Sequence, residues 1–383
     1  MRTRFGINPR AVLISVLAVL LALVVGAVLI VLSRPDVLAT LTYFFTRPTD
    51  FLAAAGGAIG EAYGELFLGA FGDWGAVADT LVQATPLIFA GLGVTLAFRA
   101  GLFNIGGQGQ LLIGAMCAAY VGFAFELPPV LHLLAALIAG MVGGGIWGGV
   151  VGLLKARTGA HEVIVTIMLN HVAQALVLWL LITEAFQRPG RTDPITPEVA
   201  DNAALPQFGN TQLNLGFALA LLTVVVVWWL LNRSTLGFEI RAVGANRDAA
   251  RTAGMNVPKV LTVAMLLAGL FAGLAGAHQV LGVQGYLTAG VAGSVGFDAI
   301  TVALVGRGTP VGTLFAALLF GALNAGSREM QAATETPLTL SIVLQATIVL
   351  FVAAPVLVRT VFRLRDKRIG SGGALAATEG GAA

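Results

Sequence analysis

Residues Ala11–Leu32 read AVLISVLAVLLALVVGAVLIVL and contain no charged side chain. About 20 apolar residues suffice for a helix to cross the bilayer, so this stretch predicts a membrane-spanning helix. Arg2, Arg4 and Arg10 precede it, as in a signal peptide, but the apolar region of a signal peptide is only about 7–15 residues long. No small-residue cleavage site follows before Arg34-Pro35. We therefore expect a retained anchor.

The composition of the whole chain is that of a membrane protein. Of its 383 residues, 57% are apolar and 11% are charged, whereas soluble proteins carry about 25% charged residues. So much apolar surface cannot be hidden in a water-soluble globule of this length. The net charge of +3 is too small to suggest binding to nucleic acid. The single cysteine, Cys117, excludes an intrachain disulfide and a cysteine-based metal cluster.

Eight apolar runs are clear candidates for spanning helices. They are Ala11–Leu32, Val77–Phe98, Gln108–Phe125, Val130–Leu154, Val163–Thr183, Leu215–Leu231, Val260–Leu281 and Leu338–Val358. Two weaker pieces, Val295–Val305 and Val311–Ala325, lie between the last two and are too short for simple spans. Counting both, the sequence predicts an all-α polytopic membrane protein with about ten transmembrane helices and with both ends on the same side.

The distribution of positive charge gives the orientation. With the N-terminus in the cytoplasm, 17 of the 22 Lys and Arg residues fall inside. The five that fall outside are Arg34, Arg47, Arg188, Arg191 and Arg328. This is the asymmetry that the positive-inside rule demands. We therefore predict that both termini are cytoplasmic.

The remaining segments are read as loops and a tail. Outside, Ser33–Ala76 and Glu184–Asn214 are long, and four prolines in the second predict an ordered or extended loop. Residues 1–369 are expected to form a single transmembrane domain. Residues 370–383 are rich in Gly and Ala and predict a flexible cytoplasmic tail.

The chain lacks the common catalytic and energy-coupling motifs. No lysine follows a glycine, so there is no phosphate-cradling loop, and there is no His-Glu-x-x-His, no Gly-x-Ser-x-Gly and no metal-ligand spacing. We expect no catalytic residue, no metal and no cofactor. Carboxylates that would bind a coupling ion at membrane depth are also scarce. If the chain moves a solute uphill, the energy must come from another subunit. A stand-alone ion-coupled carrier and a membrane-embedded lipid enzyme are the rival classes.

The polar residues near membrane depth are mostly neutral amides. They are Gln83, Asn104, Gln108, Gln110, Asn170, Gln174, Asn324 and Gln345. Amides can bind a hydroxylated or heterocyclic solute without burying a charge. They can equally hold helices together within the membrane.

Two glycine-rich breaks interrupt the apolar pattern. The first is Arg99–Gln110 and the second is Gly282–Gly296. In the predicted topology the first lies near the cytoplasm and the second near the outside, which is the arrangement that an inverted repeat would produce. Generic glycine-rich helix packing is the alternative.

The cytoplasmic segment after residue 232 predicts a short helix. Asn246 is a plausible N-cap and Gly254 a plausible C′ residue, so Arg247–Ala253 would form two helical turns. Ala249, Ala250 and Ala253 would make a small-residue face suited to a partner's groove. A solvated basic loop beside anionic membrane lipid is the alternative.

Four motifs, in order along the chain, resemble one family. They are Phe103–Leu111 (FNIGGQGQL), His161–Asn170 (HEVIVTIMLN), Leu236–Asn246 (LGFEIRAVGAN) and Gly296–Gly306 (GFDAITVALVG). They resemble the permease subunits of bacterial ABC importers for nucleosides and simple sugars, in the branched-chain amino acid/sugar permease superfamily, from about Gln83 to Phe351. The resemblance implies half of a translocation pathway in the bacterial cytoplasmic membrane. It also implies a second permease subunit as a homo- or heterodimer partner, two cytoplasmic ATP-binding subunits and an extracytoplasmic solute-binding lipoprotein.

The motifs also suggest site residues. Solute contacts are expected from Phe103, Asn104, Gln108, Gln110, Asn170, Phe297 and Asp298. ATPase coupling is expected from Gly237, Glu239, Arg241, Gly244, Asn246, Ala249, Ala250, Ala253 and Gly254. The family usually has Glu at the position of Gln108 and commonly Asn at that of His161, which leaves the solute open. A nucleoside is expected, and a simple sugar is the alternative.

Overall fold

The computed structural model describes residues 9–334 and 339–362, and these are mostly helical. The helices are α1 Pro9–Ser33, α2 Pro35–Thr40, α3 Pro48–Phe71, α4 Trp74–Arg99, α5 Gly107–Ala124, α6 Pro129–Thr158, α7 Glu162–Leu181, α8 Leu215–Arg233, α9 Thr235–Ala245, α10 Arg247–Thr252, α11 Val257–His278, α12 Val295–Val305, α13 Pro310–Thr334, α14 Thr339–Ala353 and α15 Pro355–Val361. A π-helix, Gln279–Gln284, continues α11. Extended backbone pairing within the described residues is limited to the isolated bridges Ile195↔Thr288 and Gln207↔Asn214.

The helices confirm a polytopic all-α membrane protein. Among the described residues, seven helices are long and apolar enough to span a bilayer, namely α1, α4, α6, α7, α8, α11 with its π-helical extension, and α13. Nine of the ten predicted segments each coincide with one helix, including the short α12, whose bounds match the prediction, and the described part of the tenth lies in α14 and α15. The predicted tail, residues 370–383, lies outside the described residues.

Two predicted boundaries were wrong. The piece Val311–Ala325 was expected to be too short to span, but it is the first part of the 25-residue α13. Polar residues after Ala325 lower the hydropathy of this helix without ending it. The predicted span Leu338–Val358 is divided at Ala354, which precedes α15. Pro355 has no backbone N–H and disfavours helical backbone at the residue before it, and Ala354 is non-helical, with φ of −113° and ψ of 69°.

The expectation of a long outer loop at Ser33–Ala76 was also wrong. This segment contains α2 and the 24-residue α3. Three acidic residues and five glycines lower the mean hydropathy of α3, so a search for apolar runs misses it. Its buried stripe includes Ala55, Ala58 and Ala62. Near its end, Gly69 lies against Gly326 and Glu329 of α13. Packing on neighbouring helices, and not hydropathy, stabilises this helix.

The core is built around α11, which packs against α4, α5 and α6. The backbones of α6 and α11 approach closely because glycines face each other, as with Gly144 and Gly273. Small residues at helix interfaces allow this approach, which is a common basis of helix association in membranes. The result is a rigid centre that fixes the ends of α4, α5 and α11.

Candidate functional site

The two glycine-rich breaks meet inside the bundle. Gly296, at the start of α12, lies so close to Gln108 that an added Cβ would come within 2.4 Å of the Gln108 backbone. An added Cβ on Gly107 would lie 3.1 Å from the carbonyl oxygen of Gly296. The two breaks reach this meeting point from different ends of the bundle, since Gly101 lies against Gly244 of α9 and Gly285 accepts from the N–H of Val199. The expectation that the breaks lie near opposite membrane surfaces stays a prediction. The helix that follows the second break, α12, has only 11 residues and is too short to cover the bilayer thickness.

From this meeting point, α5 and α12 run in opposite directions. At the far end of α5, Gly122 lies against Val199 of the segment between α7 and α8. At the far end of α12, Gly306 lies against Gly312 and Thr313. The neighbouring Gly308 accepts a hydrogen bond from Arg99 at the end of α4. The N-termini of two short helices thus point at one another, which we call the junction. Discontinuous helices of this kind form the binding sites of many transporters.

Amide side chains form hydrogen bonds with the backbone N–H and C=O groups at the junction. The first N–H groups of a helix have no partner within it, and inside a membrane water does not supply one. The side-chain oxygen of Asn170 in α7 accepts from the N–H of Gly109 at 2.8 Å. The side-chain oxygen of Gln108 accepts from the N–H of Gly296 at 3.0 Å. The nitrogen of Gln108 also donates to the carbonyl of Gly293 at 2.8 Å. Gln108 therefore ties the two breaks together through both ends of its amide.

Three of the residues predicted to contact solute form hydrogen bonds within the chain. Asn104 and Gln110 are buried and hydrogen-bonded to each other at 3.0 Å. Asn104 also accepts from the N–H of Gly106 at 2.9 Å. Asn170 is buried and donates to the carbonyl of Ile105 at 3.0 Å. Their polar groups are occupied within the chain in this conformation, and direct solute contact by these three residues stays a prediction.

The other predicted contacts form the accessible surface of the junction. Phe103 and Phe297 are 41% and 48% exposed, and Gln108 and Asp298 are half-buried. Phe103 stacks on Phe98 with ring centroids 5.3 Å apart, and Asp298 accepts from the hydroxyl of Ser294 at 2.6 Å. Aromatic faces beside neutral and hydroxyl groups suit a flat or hydroxylated solute. Solute contact by these four residues stays a prediction.

The short helix predicted after Asn246 is confirmed. The Asn246 side chain accepts from the N–H groups of Asp248 and Ala249, both at 3.0 Å. Gly254 follows the C-cap with φ of +84°, a conformation that a side chain disfavours. The expected small-residue face is divided, because Ala250 is buried whereas Ala249 and Ala253 are exposed. A partner can therefore contact only the last two alanines.

The remaining predicted coupling residues support this helix from α9. Gly237 packs on the carbonyl of Leu230, and Gly244 on that of Arg99, so closely that a Cβ would clash in either place. Arg241 donates to the carbonyl of Gly237 at 3.3 Å within the same helix, and Glu239 is half-buried. The two glycines thus seat α9 against the bundle.

A contact path joins α10 to the junction. The Arg247 guanidinium donates to the carbonyl of Gly101 at 3.0 Å, and Gly101 itself lies against Gly244. On its other side, Arg99 donates to the carbonyl of Gly308 at 2.7 Å. The turn Arg99–Gly101 is therefore held between α9–α10 and the turn before α13. Three residues later the chain enters the Asn104–Gln110 network. This turn is one route by which a displacement of α10 can reach the junction.

Two further features were missed by the sequence analysis. Residues 188–205 form hydrogen bonds along residues 281–288, a long-range contact that no local pattern reports. Lys155 and Glu162 form an ion pair at 2.9 Å that closes the turn between α6 and α7. In the sequence, this pair is indicated by the opposite charges of Lys155 and Glu162 on either side of Gly159. Within the described residues no group of His, Cys, Asp and Glu could hold a metal ion.

Comparison with known proteins places these features in a family. The family described as "Branched-chain amino acid transport system / permease component" matches residues 76–353. The guanosine ABC transporter permease protein NupP of Bacillus subtilis is 40% identical over 83% of this chain and 92% of its own length. The glucose ABC transporter permease protein TsgB13 of Haloferax volcanii is 33% identical over 88% and 85%. The nucleoside ABC transporter permease protein NupB of Lactococcus lactis is 33% identical over 76% and 82%.

The family match covers both glycine-rich breaks, the junction and the α9–α10 segment. The relatives are permease subunits of ABC transporters, and each is matched over most of its length. The chain is a multi-pass membrane protein of the branched-chain amino acid transport system permease family.

Proposed function

We propose that this chain forms half of the translocation pathway of a binding-protein-dependent ABC importer for nucleosides. The observation that carries the proposal is the 40% identity to a guanosine permease over nearly its whole length. The junction surface supports it, because Phe103, Phe297 and Gln108 offer aromatic faces and a neutral amide to a heterocyclic base. The chain's own residues position the solute and change the access to it. The energy is supplied elsewhere.

We infer that two ATP-binding subunits dock on the exposed side of α10. Asn246 and Gly254 fix the ends of this helix, and Ala249 and Ala253 leave room for a partner's side chains. The path from Arg247 to Gly101 would carry its displacement to the junction. This orientation places both termini in the cytoplasm and the segment between α7 and α8 outside a bacterial plasma membrane. A solute-binding lipoprotein would deliver the nucleoside there.

The second permease subunit is proposed to be a different chain. Bacillus subtilis has two proteins named as guanosine permeases, and this chain is 40% identical to NupP but 31% identical to NupQ. The Lactococcus lactis pair NupB and NupC shows the same order, at 33% and 28%. In each organism, two different permease proteins are named for the same class of solute. This favours a heterodimer of two different permease subunits in the proposed transporter.

A simple sugar is the second candidate solute. The relative TsgB13 is named as a glucose permease and matches over 88% of this chain, and hydroxyl groups also suit the Gln108 amide. The test is uptake of radiolabelled guanosine by proteoliposomes that contain both permeases, the ATPase subunits and the lipoprotein. Competition by unlabelled nucleosides but not by glucose is expected. Uptake of radiolabelled glucose without uptake of guanosine would reverse the assignment of the solute, and uptake of neither would contradict the proposed function.

A further inference from the structure

Residues 188–205, between α7 and α8, are hydrogen-bonded along the second glycine-rich break. The N–H of Leu205 donates to the carbonyl of Leu281, and that of Val199 to the carbonyl of Gly285, both at 2.8 Å. The N–H of Thr196 donates to the carbonyl of Leu287 at 3.2 Å. In return, the N–H of Leu287 donates to the hydroxyl of Thr196 at 2.9 Å. We call this set of contacts the clasp.

Arg188 fastens the clasp with its side chain. Its Nε donates to the carbonyl of Thr196 at 3.1 Å, and its guanidinium lies 3.2 Å from the carboxylate of Glu198. The same guanidinium sits 5.6 Å from the ring centroid of Tyr286. An arginine over an aromatic face gains a cation–π attraction, which strengthens when both groups lose water. Arg188 therefore bridges the two sides of the clasp.

One side of the clasp is anchored to the bundle. The N–H of Ala200 donates to the carbonyl of Gly122 near the end of α5 at 2.9 Å. The Asn202 side chain donates to the carbonyl of Leu127 at 3.3 Å. These contacts tie residues 200–202 to the ends of α5 and α6. This side of the clasp is a fixed support.

The other side, residues 286–292, buries Leu287, Val291 and Ala292 in the core and is bounded by two glycines. Gly285 and Gly293, with φ of +74° and +46°, flank residues 286–292. Such positions at the ends of a segment can absorb backbone rotation. The π-helix Gln279–Gln284 precedes it, and π-helical turns often occur at functional sites. The segment ends at Gly293, where Gln108 holds its carbonyl. A swing of residues 286–292 would thus alter the junction directly.

We propose that the clasp is the outer gate of the translocation pathway. To admit solute, residues 286–292 break their contacts with Arg188, Ile195 and Thr196, and they re-form these contacts when the gate closes. The hydrogen bonds to Leu281 and Gly285 lie outside the moving segment and hold its start in place. The proposal rests on the proposed function for its direction of transport. The docked binding protein is the partner that separates the two sides. The clasp shown here is the closed state.

A disulfide across the clasp tests the gate. Ile195 and Thr288 form an isolated antiparallel bridge, and residues paired in this way have Cα atoms about 4.5–5.5 Å apart, within the range of disulfides. Ile195→Cys and Thr288→Cys would be introduced after Cys117→Ala, which removes the single native cysteine. Oxidation should lower solute uptake by the full complex at least about tenfold, since a closed gate admits no solute, and reduction should restore it. Uptake unchanged by oxidation would overturn the proposal.

A second pair, Asn202→Cys with Leu127→Cys, crosslinks only the fixed support and should leave uptake intact when oxidised.

A labelling measurement tests the gate without any solute. Leu287, within the segment, is buried in the closed clasp, so its cysteine variant, made together with Cys117→Ala, would be labelled from outside with a membrane-impermeant maleimide only when the gate opens. Arg188→Ala removes the cation–π contact and the ion pair, and should raise the labelling rate about tenfold by populating the open gate. Arg47→Ala, outside the clasp, is the matched control and should leave the rate unchanged. An equal rate with and without Arg188 would contradict the gate even if the proposed solute is correct. A raised rate without guanosine uptake would instead contradict only the proposed function.

Discussion

Gln108 makes two hydrogen bonds across the junction, so its removal should loosen the contact between the two glycine-rich breaks. Its amide accepts from the N–H of Gly296 at 3.0 Å and donates to the carbonyl of Gly293 at 2.8 Å. A typical hydrogen bond contributes about 0.5–1.5 kcal/mol net. Gln108→Ala should therefore shift the equilibrium toward an open junction by about 1–3 kcal/mol, or roughly 5- to 150-fold.

Amide hydrogen exchange measures this shift directly. Residues 289–298 should exchange faster in Gln108→Ala by the same factor, because the opening that exposes their N–H groups becomes more frequent. Gln174 makes a single hydrogen bond to the same segment, from its side chain to the carbonyl of Ala289 at 3.2 Å. Gln174→Ala should therefore have about half the effect in free energy. Gln212, which is exposed, provides a control variant that should behave as wild type.

The variant Gln108→Glu distinguishes the two hydrogen bonds that the Gln108 side chain makes. An ionised carboxylate can still accept from the N–H of Gly296, but it has no hydrogen to donate to the carbonyl of Gly293. We expect faster exchange than in the wild type, with the bond to Gly293 lost. Exchange of residues 289–298 within about twofold of wild type in Gln108→Ala, together with a clear effect of Gln174→Ala, would refute the role of Gln108.

Three further predictions concern the coupling helix, the topology and the α6–α7 turn. Ala249→Trp should weaken ATPase docking by about 1–3 kcal/mol and suppress solute-stimulated ATP hydrolysis, while the amount of the protein in the membrane stays unchanged. Ala250→Trp, at a buried position, should instead lower the melting temperature of the protein. The same result for both variants would contradict the assignment of Ala249 to an exposed, partner-facing side of α10. Cysteines at Asp201 and Thr252, both exposed, should be labelled by an impermeant maleimide from outside and inside respectively, and the reverse pattern would overturn the orientation. Glu162→Gln leaves Lys155 with no charged partner at a site where both side chains are over 80% buried. Thermal unfolding should therefore show that the free energy of unfolding falls by about 2–3 kcal/mol. The double variant Lys155→Met/Glu162→Gln should recover part of this loss.

The sequence predicted the helices well where local chemistry decides them. Apolar runs located all ten segments, and the Asn246 cap with Gly254 located α10, because capping is a property of adjacent residues. α3 was missed because its acidic residues and glycines hide a helix that packing stabilises. Local hydropathy carries no information about such packing.

The arrangement of the candidate site could not be predicted from the sequence, because its contacts join residues that are far apart along the chain. Gln108 meets Gly293 and Gly296 across more than 180 residues, and no periodicity reports that meeting. A polar amide at membrane depth is compatible with solute binding and with structural support. The structure shows that Asn104, Gln110 and Asn170 are hydrogen-bonded within the chain and that Phe103 and Phe297 are exposed. The clasp was missed for the same reason, since its two sides are distant in sequence.

The claim that this chain has no energy source of its own is tested most directly by uptake into liposomes of defined composition. Liposomes with this chain and its permease partner would be compared with liposomes that also hold the ATPase subunits, with the binding protein on the side of Asp201 and ATP on the side of α10. Concentrative guanosine uptake is expected only when the ATPase subunits and ATP are both present. Concentrative uptake by this chain alone, driven by a proton or sodium gradient, would contradict the claim.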